Sequence, residues 1–525
     1  MADSTEPRRG ADAILRARRT RVAVVGGGVA GLVAALEWAK IGAHVTVLEA
    51  SGRLGGALET AALDGIPVDL VADAFPTRAA ALAGVIDELR LRSEVEGAVP
   101  LPVWISGVPG RAGGLVPLPA QTVLGIPANP WADDVRRVIG WRGAWRAYLD
   151  RLRPPLTIGH ERSLGRLVRQ RMGDRVVDRL VAPVTRGLYG VEPDDVDVEA
   201  AAPGLSTALT RTGSLAGAVF DLLPQSEGEG ASRATLRGGF GALATALAER
   251  LLDLDADLRV DRPVTALART SHGSWTVRAG AESQDARGPE DAAQAEDAVE
   301  ADIVVIATGG DAAVALLAGI ETQGAEDGAA RAARVAVETP PAPARDVVDL
   351  VVHADALTAA PRGRAVYPLA RAADPAVAPA ALSVTLPSAE WPSVAAAAGP
   401  HRRVLRVALP ADPARSDAAT VDAAVTAAAA LLGVDVTAIA PIAAARRTVV
   451  LAPPASVIGH TDRVDAVRSA VSALPGLSVV GSWLAGGGVA QVVADALAET
   501  DRVRSAVLWR RAPDGPERPA QTPLR

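Results

Sequence analysis

The chain has 525 residues, of which 49% are hydrophobic, and a formal net charge of −7 at pH 7. This length predicts two or three domains, and the negative charge argues against a general nucleic-acid-binding protein. The absence of cysteine excludes disulfides, thiolate metal sites and a cysteine nucleophile, and the six histidines show no metal-binding spacing, so no metal site is expected.

The first strong pattern is an apolar strand at residues 22–25 that runs into a glycine turn. The turn and the following Ala- and Leu-rich helix fit G-x-G-x-x-G, and a second strand at 44–48 ends on an acid. This spacing is typical of a dinucleotide-binding unit, because the glycines let the backbone approach a pyrophosphate and the acid reaches a ribose hydroxyl. The predicted cofactor contacts are Gly26, Gly27, Gly28, Val29, Ala30, Gly31, Glu49 and Ala50.

A second glycine turn follows at once and indicates which dinucleotide binds. It resembles the R-x-G-G of FAD-dependent oxidases of the amine oxidase superfamily, and no second complete G-x-G-x-x-G is present for NAD(P). The predicted cofactor is therefore FAD, and the turn adds the contacts Arg53, Leu54, Gly55 and Gly56.

The rest of the chain returns twice to this kind of pattern. Residues 77–92 and 130–182 are helical in pattern, and residues 99–125 hold short strands. A glycine turn and helix at 236–252 precede a strand at 258–270, where Val264 is expected to pass the adenine, and a buried strand at 302–310 includes Ala307 and Thr308. Strand-like runs at 346–410, an Ala-rich helix at 417–432 and a strand–turn–helix at 476–503 complete the chain. The acidic stretch 282–300 predicts a solvated or disordered insert.

These returns predict an α/β fold in which a Rossmann-like, GR2-type FAD-binding domain is assembled from residues 20–76, 232–310 and 455–508. Residues 77–205 form a mainly helical domain, and residues 206–231 and 311–454 form a mixed-sheet substrate-binding domain. Residues 1–19 and 509–525 are predicted to be a disordered and a loose tail.

No signal-peptide core and no apolar run long enough to span a bilayer is present, so a cytoplasmic protein is expected, with peripheral membrane contact left open.

Beyond the glycine turns, the sequence resembles the protoporphyrinogen/coproporphyrinogen oxidase family nearly end to end. The motifs are VADAFPTR (71–78), the helix and GLYG segment at 163–196, LRGGFGAL (236–243), VIGHTDRV (457–464) and GSWLAGGGV (481–489). The resemblance implies FAD-dependent, six-electron oxidation of a porphyrinogen with O2 as acceptor. Coproporphyrinogen III is the expected substrate in haem biosynthesis, with protoporphyrinogen IX as the alternative and hand-off of the porphyrin to a ferrochelatase.

The same resemblance assigns roles to further residues. The GLYG motif lines the substrate slot, Arg186 stands where the family has a small residue and would pair with a propionate, and the closing glycine turn faces the flavin. No catalytic acid or base is assigned, and His460 is expected to shape a turn. The predicted substrate contacts are Arg186, Gly187, Leu188, Tyr189, Tyr367 and Arg78, and the further flavin contacts are Gly481, Trp483, Gly488 and Val489.

The chain departs from the family at two places, and three other classes compete. Asp495 and Ala496 replace a small Ser-Gly in the last helix, and no tyrosine precedes VIGH. A flavin amine oxidase would need an aromatic cage, for which the three Tyr and three Phe offer little, and GLYG does not fit a carotenoid desaturase. A flavin-binding scaffold without turnover is the remaining alternative.

Overall fold

The chain alternates short strands and helices throughout the part that the structure describes. The computed structural model describes residues 14–110, 114–153, 161–223, 233–280, 297–320, 344–357, 363–369, 381–450 and 455–508. Its strands are β1 Arg21–Val25, β2 His44–Leu48, β3 Thr60–Leu63, β4 Ile66–Asp69, β5 Phe75–Pro76, β6 Val95–Gly97, β7 Val103–Ser106, β8 Val116–Pro117, β9 Thr122–Val123, β10 Ile126–Pro127, β11 Arg233–Leu236, β12 Asp257–Arg259, β13 Val264–Arg269, β14 Trp275–Ala279, β15 Asp297–Ala301, β16 Ile303–Ile306, β17 Ala344–His353, β18 Ala365–Pro368, β19 Ser383–Thr385, β20 Arg402–Pro410, β21 Pro441–Val450 and β22 Leu477–Val479.

The α-helices range from short turns to one of 20 residues. They are α1 Val29–Ala39, α2 Ala80–Glu88, α3 Asp133–Tyr148, α4 Leu164–Met172, α5 Asp174–Val176, α6 Ala182–Leu188, α7 Val198–Ala201, α8 Leu205–Thr212, α9 Leu215–Leu222, α10 Gly241–Asp253, α11 Gly310–Ala318, α12 Pro387–Glu390, α13 Pro392–Ala398, α14 Asp417–Leu432, α15 His460–Ser472, α16 Ser482–Ala485 and α17 Val489–Leu508. A π-helical turn, Val177–Val181, joins α5 to α6.

A five-stranded parallel sheet carries the first glycine turn. Its strand order is β12-β2-β1-β16-β22. Strand β1 lies at the centre of this sheet, and its apolar residues 22–25 are all buried. Strand β16 beside it is buried along its whole length. Helices α1, α10 and α17 share one core on a face of this sheet. The α/β class and the sheet built from separate stretches of chain are thus confirmed.

A seven-stranded mixed sheet forms the second large layer, in the order β21-β17-β20-β19-β18-β7-β8. All its neighbours are antiparallel except β18 and β7, which are parallel. Helix α14 covers one face, and on the other face Val351 packs with Leu63 and Ile66 of the β3–β4 hairpin. The sheet therefore packs directly against the hairpin that follows the glycine turns.

The helices between residues 133 and 222 share a third core. Helices α8 and α9 belong to that core, although the sequence placed residues 206–231 with the mixed sheet. Conversely, β7 and β8 join the mixed sheet, although residues 77–205 were expected to be mainly helical. We therefore propose to group α8 and α9 with the helical layer and β7 and β8 with the mixed sheet.

Parts of two segments that the sequence predicted to be irregular, the tail 1–19 and the insert 282–300, have regular secondary structure. Residues 14–17 form a helical turn in which Ala17 is buried, and residues 297–301, at the end of the predicted acidic insert, form β15. Pairing with β14 explains the second case. The remainder of these two segments, 1–13 and 281–296, and the predicted tail 509–525 lie outside the described residues. Within the described ranges, no helix is both long and apolar enough to cross a bilayer.

Candidate functional site

The first glycine turn and Glu49 form what we call the nucleotide cradle, residues 26–31 with Glu49. Gly26 has φ 106°, and a Cβ there would lie 2.7 Å from the carbonyl oxygen of Ala307. A Cβ on Gly31 would lie 2.0 Å from the carbonyl oxygen of Gly26. These two glycines are required by backbone contacts inside the protein, whereas a Cβ on Gly28 would meet nothing within 4 Å. Gly28 therefore faces open space.

The cradle fits a pyrophosphate and a ribose. Gly28 is the N-cap of α1, which has no side-chain cap and no acid in its first turn, so the positive end of the helix is left for an anion. The Glu49 carboxylate accepts hydrogen bonds from the Gly27 N–H at 2.6 Å and from the N–H and hydroxyl of Ser51. These bonds hold the acid beside the turn, where the sequence predicted a ribose contact.

The second glycine turn packs onto the first. The Gly55 N–H donates to the Gly27 carbonyl at 2.8 Å, and a Cβ on Gly27 would lie 2.5 Å from Leu54. Arg53 donates to the carbonyl of Gly56 and pairs with Glu59. The structure thus brings the R-x-G-G residues to the cradle. Ala50 follows Glu49 and is exposed.

The later returns of the chain reach the same edge of the sheet. Ala307, the residue after β16, lies against Gly26, and a Cβ on Gly481 would lie 3.3 Å from the Thr308 carbonyl oxygen. The Trp483 side chain packs on Gly310. Val264 begins β13, two residues after Arg262, whose N–H donates to the Glu49 carbonyl. The five predicted contacts Val264, Ala307, Thr308, Gly481 and Trp483 therefore lie in segments that meet at this edge of the sheet.

The closing glycine turn borders a cavity of about 340 Å³ on the side of the helical layer. Leu188 and Tyr189, at the end of α6, lie across the cavity from Gly488, and Val489 begins α17 directly after the turn. Leu188 is 51% exposed, which is unusual for leucine and matches its place on an open wall. Other lining residues are Arg345, Ser456 and Gln491.

His460 supports this closing turn from behind. Its Nε2 is 2.7 Å from the carbonyl oxygen of Leu484, in the short helix before the turn, and its ring is buried. Burial lowers the pKa of the His460 imidazole. A neutral ring that donates to a backbone carbonyl acts as a structural tie.

The family model described as flavin containing amine oxidoreductase matches residues 29–504. The chain belongs to this family. Its cofactor is FAD, in agreement with the glycine turns, and when bound FAD accepts two electrons at a time from the substrate. The cradle and the closing turn are the parts of this flavoprotein that would hold the two ends of the cofactor.

Curated relatives named coproporphyrinogen III oxidase match parts of the flavoprotein. The Mycobacterium bovis protein is 34% identical over 235 residues, which cover 43% of this chain and 50% of the relative. The Propionibacterium freudenreichii protein is 32% identical over 195 residues, covering 36% and 35%, and the Bacillus subtilis protein is 26% identical over 267 residues, covering 48% and 55%. The chain thus spans about half or less of the length of these relatives.

Solved structures share the fold over almost the whole flavoprotein. A crystal structure from Exiguobacterium sp. 255-15 that carries the provisional name protoporphyrinogen oxidase has a TM-score of 0.75 at 23% identity and covers 92% of this chain and 98% of its own. A reduced UDP-galactopyranose mutase has a TM-score of 0.65 at 13% identity, covering 94% and 96%. At these identities the likeness establishes the fold alone.

The predicted substrate contacts fall into two groups. Leu188 and Tyr189 line the cavity. Tyr367 is only 5% exposed, and its ring packs so closely on Gly187 that a Cβ there would lie 2.6 Å away. These two residues therefore support the cavity wall from behind, and direct substrate contact by either stays a prediction.

The two predicted arginines are not on the cavity wall. Arg186 makes a bidentate pair with Glu192, at 3.0 and 2.9 Å. Arg78 is exposed and does not line the cavity. The arginine that does line it is Arg345, at the start of β17. Sequence reasoning missed it, and the one available signal was an arginine at the start of a valine-rich strand.

The altered position in the last helix also has a partner. Asp495 accepts from Arg468 of α15 at 2.6 Å. Burial raises the pKa of the Asp495 carboxyl, and the arginine opposes this rise. The acid that replaces a small residue of the family is thus held against the neighbouring helix.

Proposed function

We propose that this flavoprotein oxidises coproporphyrinogen III to coproporphyrin III. The observation that carries the proposal is the cavity, in which the GLYG end of α6 faces the closing glycine turn. These are the two motifs that the family resemblance assigns to the substrate slot and to the flavin. The names of the curated relatives support the same substrate class.

The lining residues suit this chemistry. No carboxylate, imidazole or lysine lines the cavity among the described residues, so the protein contributes a shaped, mostly neutral slot in place of a strong base. Leu188 and Tyr189 offer apolar surface to a tetrapyrrole. Helix α17 begins at Val489 with no acid in its first turn, so its positive end stabilises negative charge developing nearby.

The stoichiometry of the proposed reaction determines how much O2 should be consumed for each porphyrin formed. Oxidation of a porphyrinogen to a porphyrin removes six electrons and six protons, which three O2 molecules accept to form three H2O2. Consumption of three O2 for each porphyrin formed would support O2 as the acceptor. Transfer of the product to a ferrochelatase is a further part of the proposal.

The deciding experiment is a fluorescence assay with the purified, FAD-loaded protein in air. Coproporphyrinogen III should give porphyrin fluorescence faster than an enzyme-free blank. Protoporphyrinogen IX, tested in parallel, is the alternative substrate, and faster turnover of it would change the assignment. A yellow protein that oxidises neither would refute the proposal and favour another amine oxidase or a scaffold. Against an amine oxidase, only one aromatic side chain, Tyr189, lines the described cavity.

We also propose peripheral contact with an anionic membrane, through an aromatic patch on α3. Trp141 and Trp145 are 66% and 58% exposed, and their rings cluster with Trp131 and Tyr148. The guanidinium of Arg136 lies over the Trp141 ring. Exposed tryptophan with arginine is typical of proteins that rest on the lipid headgroup region.

Sedimentation with vesicles tests this contact. The protein should sediment with phosphatidylglycerol vesicles and not with phosphatidylcholine vesicles, and a W141S/W145S variant should remain in the supernatant. Equal sedimentation of variant and parent protein would refute a role for the patch.

A further inference from the structure

Arg345 lies on the face of the mixed sheet that packs, at Val351, against the β3–β4 hairpin. It is the second residue of β17, and Asp349, four residues further along the same strand, lies on the same face because side chains alternate along a strand. Asp349 pairs with Arg406, which also reaches Asp73 of the loop after β4. This face of the sheet therefore carries charged groups at the junction of the layers.

Arg345 differs from its neighbours in how its charge is balanced. Arg406 is paired with Asp349 at 2.9 Å, and on the opposite face Arg446 is paired with Asp346 at 3.0 Å. Within the described ranges, the Arg345 guanidinium donates a single hydrogen bond, from Nη2 to the Arg186 carbonyl oxygen at 3.2 Å. Among the described residues, no carboxylate lies within 4 Å of its guanidinium.

Burial also acts on this unbalanced charge. It lowers the pKa of the Arg345 guanidinium, and the only opposing influence comes from the nearby Tyr367. Taking a guanidinium partly out of water without an anionic partner is unfavourable unless a ligand supplies the anion.

A second unsatisfied group lies in the same cavity. The hydroxyl oxygen of Ser456 is buried and has no hydrogen-bond partner among the described residues. Ser456 and Arg345 both line the cavity, and Arg345 is the only charged side chain among the described residues that do so. The cavity thus offers a guanidinium and a hydroxyl, both able to donate, and no acid to receive them.

We propose that Arg345 binds a carboxylate of the substrate, with the Ser456 hydroxyl as a second donor. The identity of this carboxylate as a porphyrinogen propionate rests on the proposed function. Arg345 would then orient the ring system in the slot and favour substrates that carry a free acid at that position. A guanidinium suits this task because it binds a carboxylate with two parallel hydrogen bonds.

The test compares binding of coproporphyrin with binding of its tetramethyl ester, which has the same ring system and no carboxylates. Both are titrated into FAD-loaded protein and followed by porphyrin fluorescence. The parent protein should bind the acid at least about 10-fold more tightly than the ester. R345Q should bind the acid about 10- to 100-fold more weakly and the ester unchanged, as expected for loss of a charge-assisted pair. S456A should show a smaller loss, about 3-fold.

The matched control is R278Q, which removes an exposed arginine from β14, outside the cavity. It should bind both porphyrins as the parent does. Equal weakening of acid and ester by R345Q would mean that Arg345 only shapes the cavity and would overturn the proposal. A changed flavin spectrum with unchanged porphyrin binding would overturn it as well, in favour of a contact with the cofactor.

The same variants separate this inference from the proposed function. If the parent protein prefers the acid and R345Q loses that preference, but neither oxidises a porphyrinogen, the carboxylate site stands and the proposed oxidation fails. If the parent oxidises coproporphyrinogen III and R345Q has an unchanged KM, the oxidation stands and the carboxylate site fails.

Discussion

The nucleotide cradle and the cavity at Arg345 differ in how far the protein itself satisfies their polar groups. In the cradle, Gly26 and Gly31 are packed against backbone, and the Glu49 carboxylate already accepts three hydrogen bonds. In the cavity, the part of the chain that the structure describes offers no carboxylate partner to the Arg345 guanidinium and no hydrogen-bond partner to the Ser456 hydroxyl. The cradle is complete as a protein structure, whereas the cavity leaves polar groups for a ligand to satisfy.

This difference separates the tasks of the two regions. A cofactor that stays bound needs a rigid, preorganised surface, which the cradle supplies through backbone contacts. A substrate that binds reversibly can supply the carboxylate that pairs with Arg345 each time it binds. The unpaired Arg345 guanidinium then destabilises the substrate-free enzyme, and binding of the substrate carboxylate removes this destabilisation.

The most severe test of cradle rigidity is Gly31→Ala. The added Cβ would lie 2.0 Å from the Gly26 carbonyl oxygen, a backbone atom that cannot move without opening the turn. We expect a loss of about 3 kcal/mol or more in the free energy of unfolding and a protein purified largely without FAD. Thermal unfolding and visible flavin absorbance measure both effects.

The matched control is Gly84→Ala in α2, where an added Cβ meets nothing within 4 Å. It should keep FAD and be unchanged or stabilised by up to about 1 kcal/mol, because alanine favours the helix. Similar losses in the two variants would show that the cradle is not the rigid element described.

Gly28→Ala separates FAD binding from folding. Its Cβ would enter open space, and its φ of −71° suits alanine, so the stability of the FAD-free protein should change by less than about 1 kcal/mol. The methyl group would occupy the approach to the pyrophosphate, so the Kd for FAD should rise at least about 10-fold. Isothermal titration with FAD and unfolding of the FAD-free protein give the two values, and an unchanged Kd would place the pyrophosphate elsewhere.

A third test asks whether unbalanced charge is confined to the cavity. Asp69, the last residue of β4, accepts a hydrogen bond from the Phe240 N–H, and burial raises the pKa of its carboxyl to about 6 from 3.8. Because the folded protein binds this proton more tightly than the unfolded chain does, the free energy of unfolding should fall as pH rises from about 4 to 6. Allowing for solvent screening, we expect a fall of about 1 kcal/mol.

Asp69→Asn should remove this pH dependence. Both hydrogen bonds to Asp69, from Thr60 and from Phe240, end on one oxygen, which the asparagine carbonyl can replace. The variant should therefore be more stable than the parent above pH 6 and no more stable near pH 4. Denaturant unfolding at several pH values measures this, and parallel curves for the two proteins would contradict it.

The smallest expected effect is that of Arg186→Ala. Arg186 was predicted to bind a propionate, but its guanidinium is already paired with Glu192. We expect KM for coproporphyrinogen III to rise by less than about 3-fold, well below the change in R345Q. A larger rise than in R345Q would reverse the roles of the two arginines.

Local spacing and long-range contacts explain which parts of the site the sequence predicts. The cradle follows from glycines two to five residues apart, at positions 26, 28 and 31, since their roles depend on one turn and one helix. Arg345 reaches the cavity only because β17 pairs with β20 and β21 and its guanidinium meets a carbonyl 159 residues earlier in the chain. No pattern around residue 345 contains that information.

The fold also divides into elements that local sequence patterns predict and packing that depends on long-range contacts. The buried strands and the alanine-rich helix α14 were predicted from composition and periodicity, and α14 spans Asp417–Leu432 as expected. The packing of α8 and α9 against the helical layer depends on which apolar face meets which core, and their sequence alone does not specify the partner. Pairing across space likewise determines that β7 and β8 join the mixed sheet.

The central position of β1 has a consequence for how the protein is made. Its neighbour β16 begins at Ile303 and the edge strand β22 begins at Leu477, so the ribosome must synthesise most of the chain before the first strand has all its sheet. Helix α1 shares its core with α17, the last described helix, so this core is complete only after α17 has been synthesised. Acquisition of FAD by this chain would therefore follow synthesis of α17, and flavin content would report that the polypeptide has been made at least to that helix.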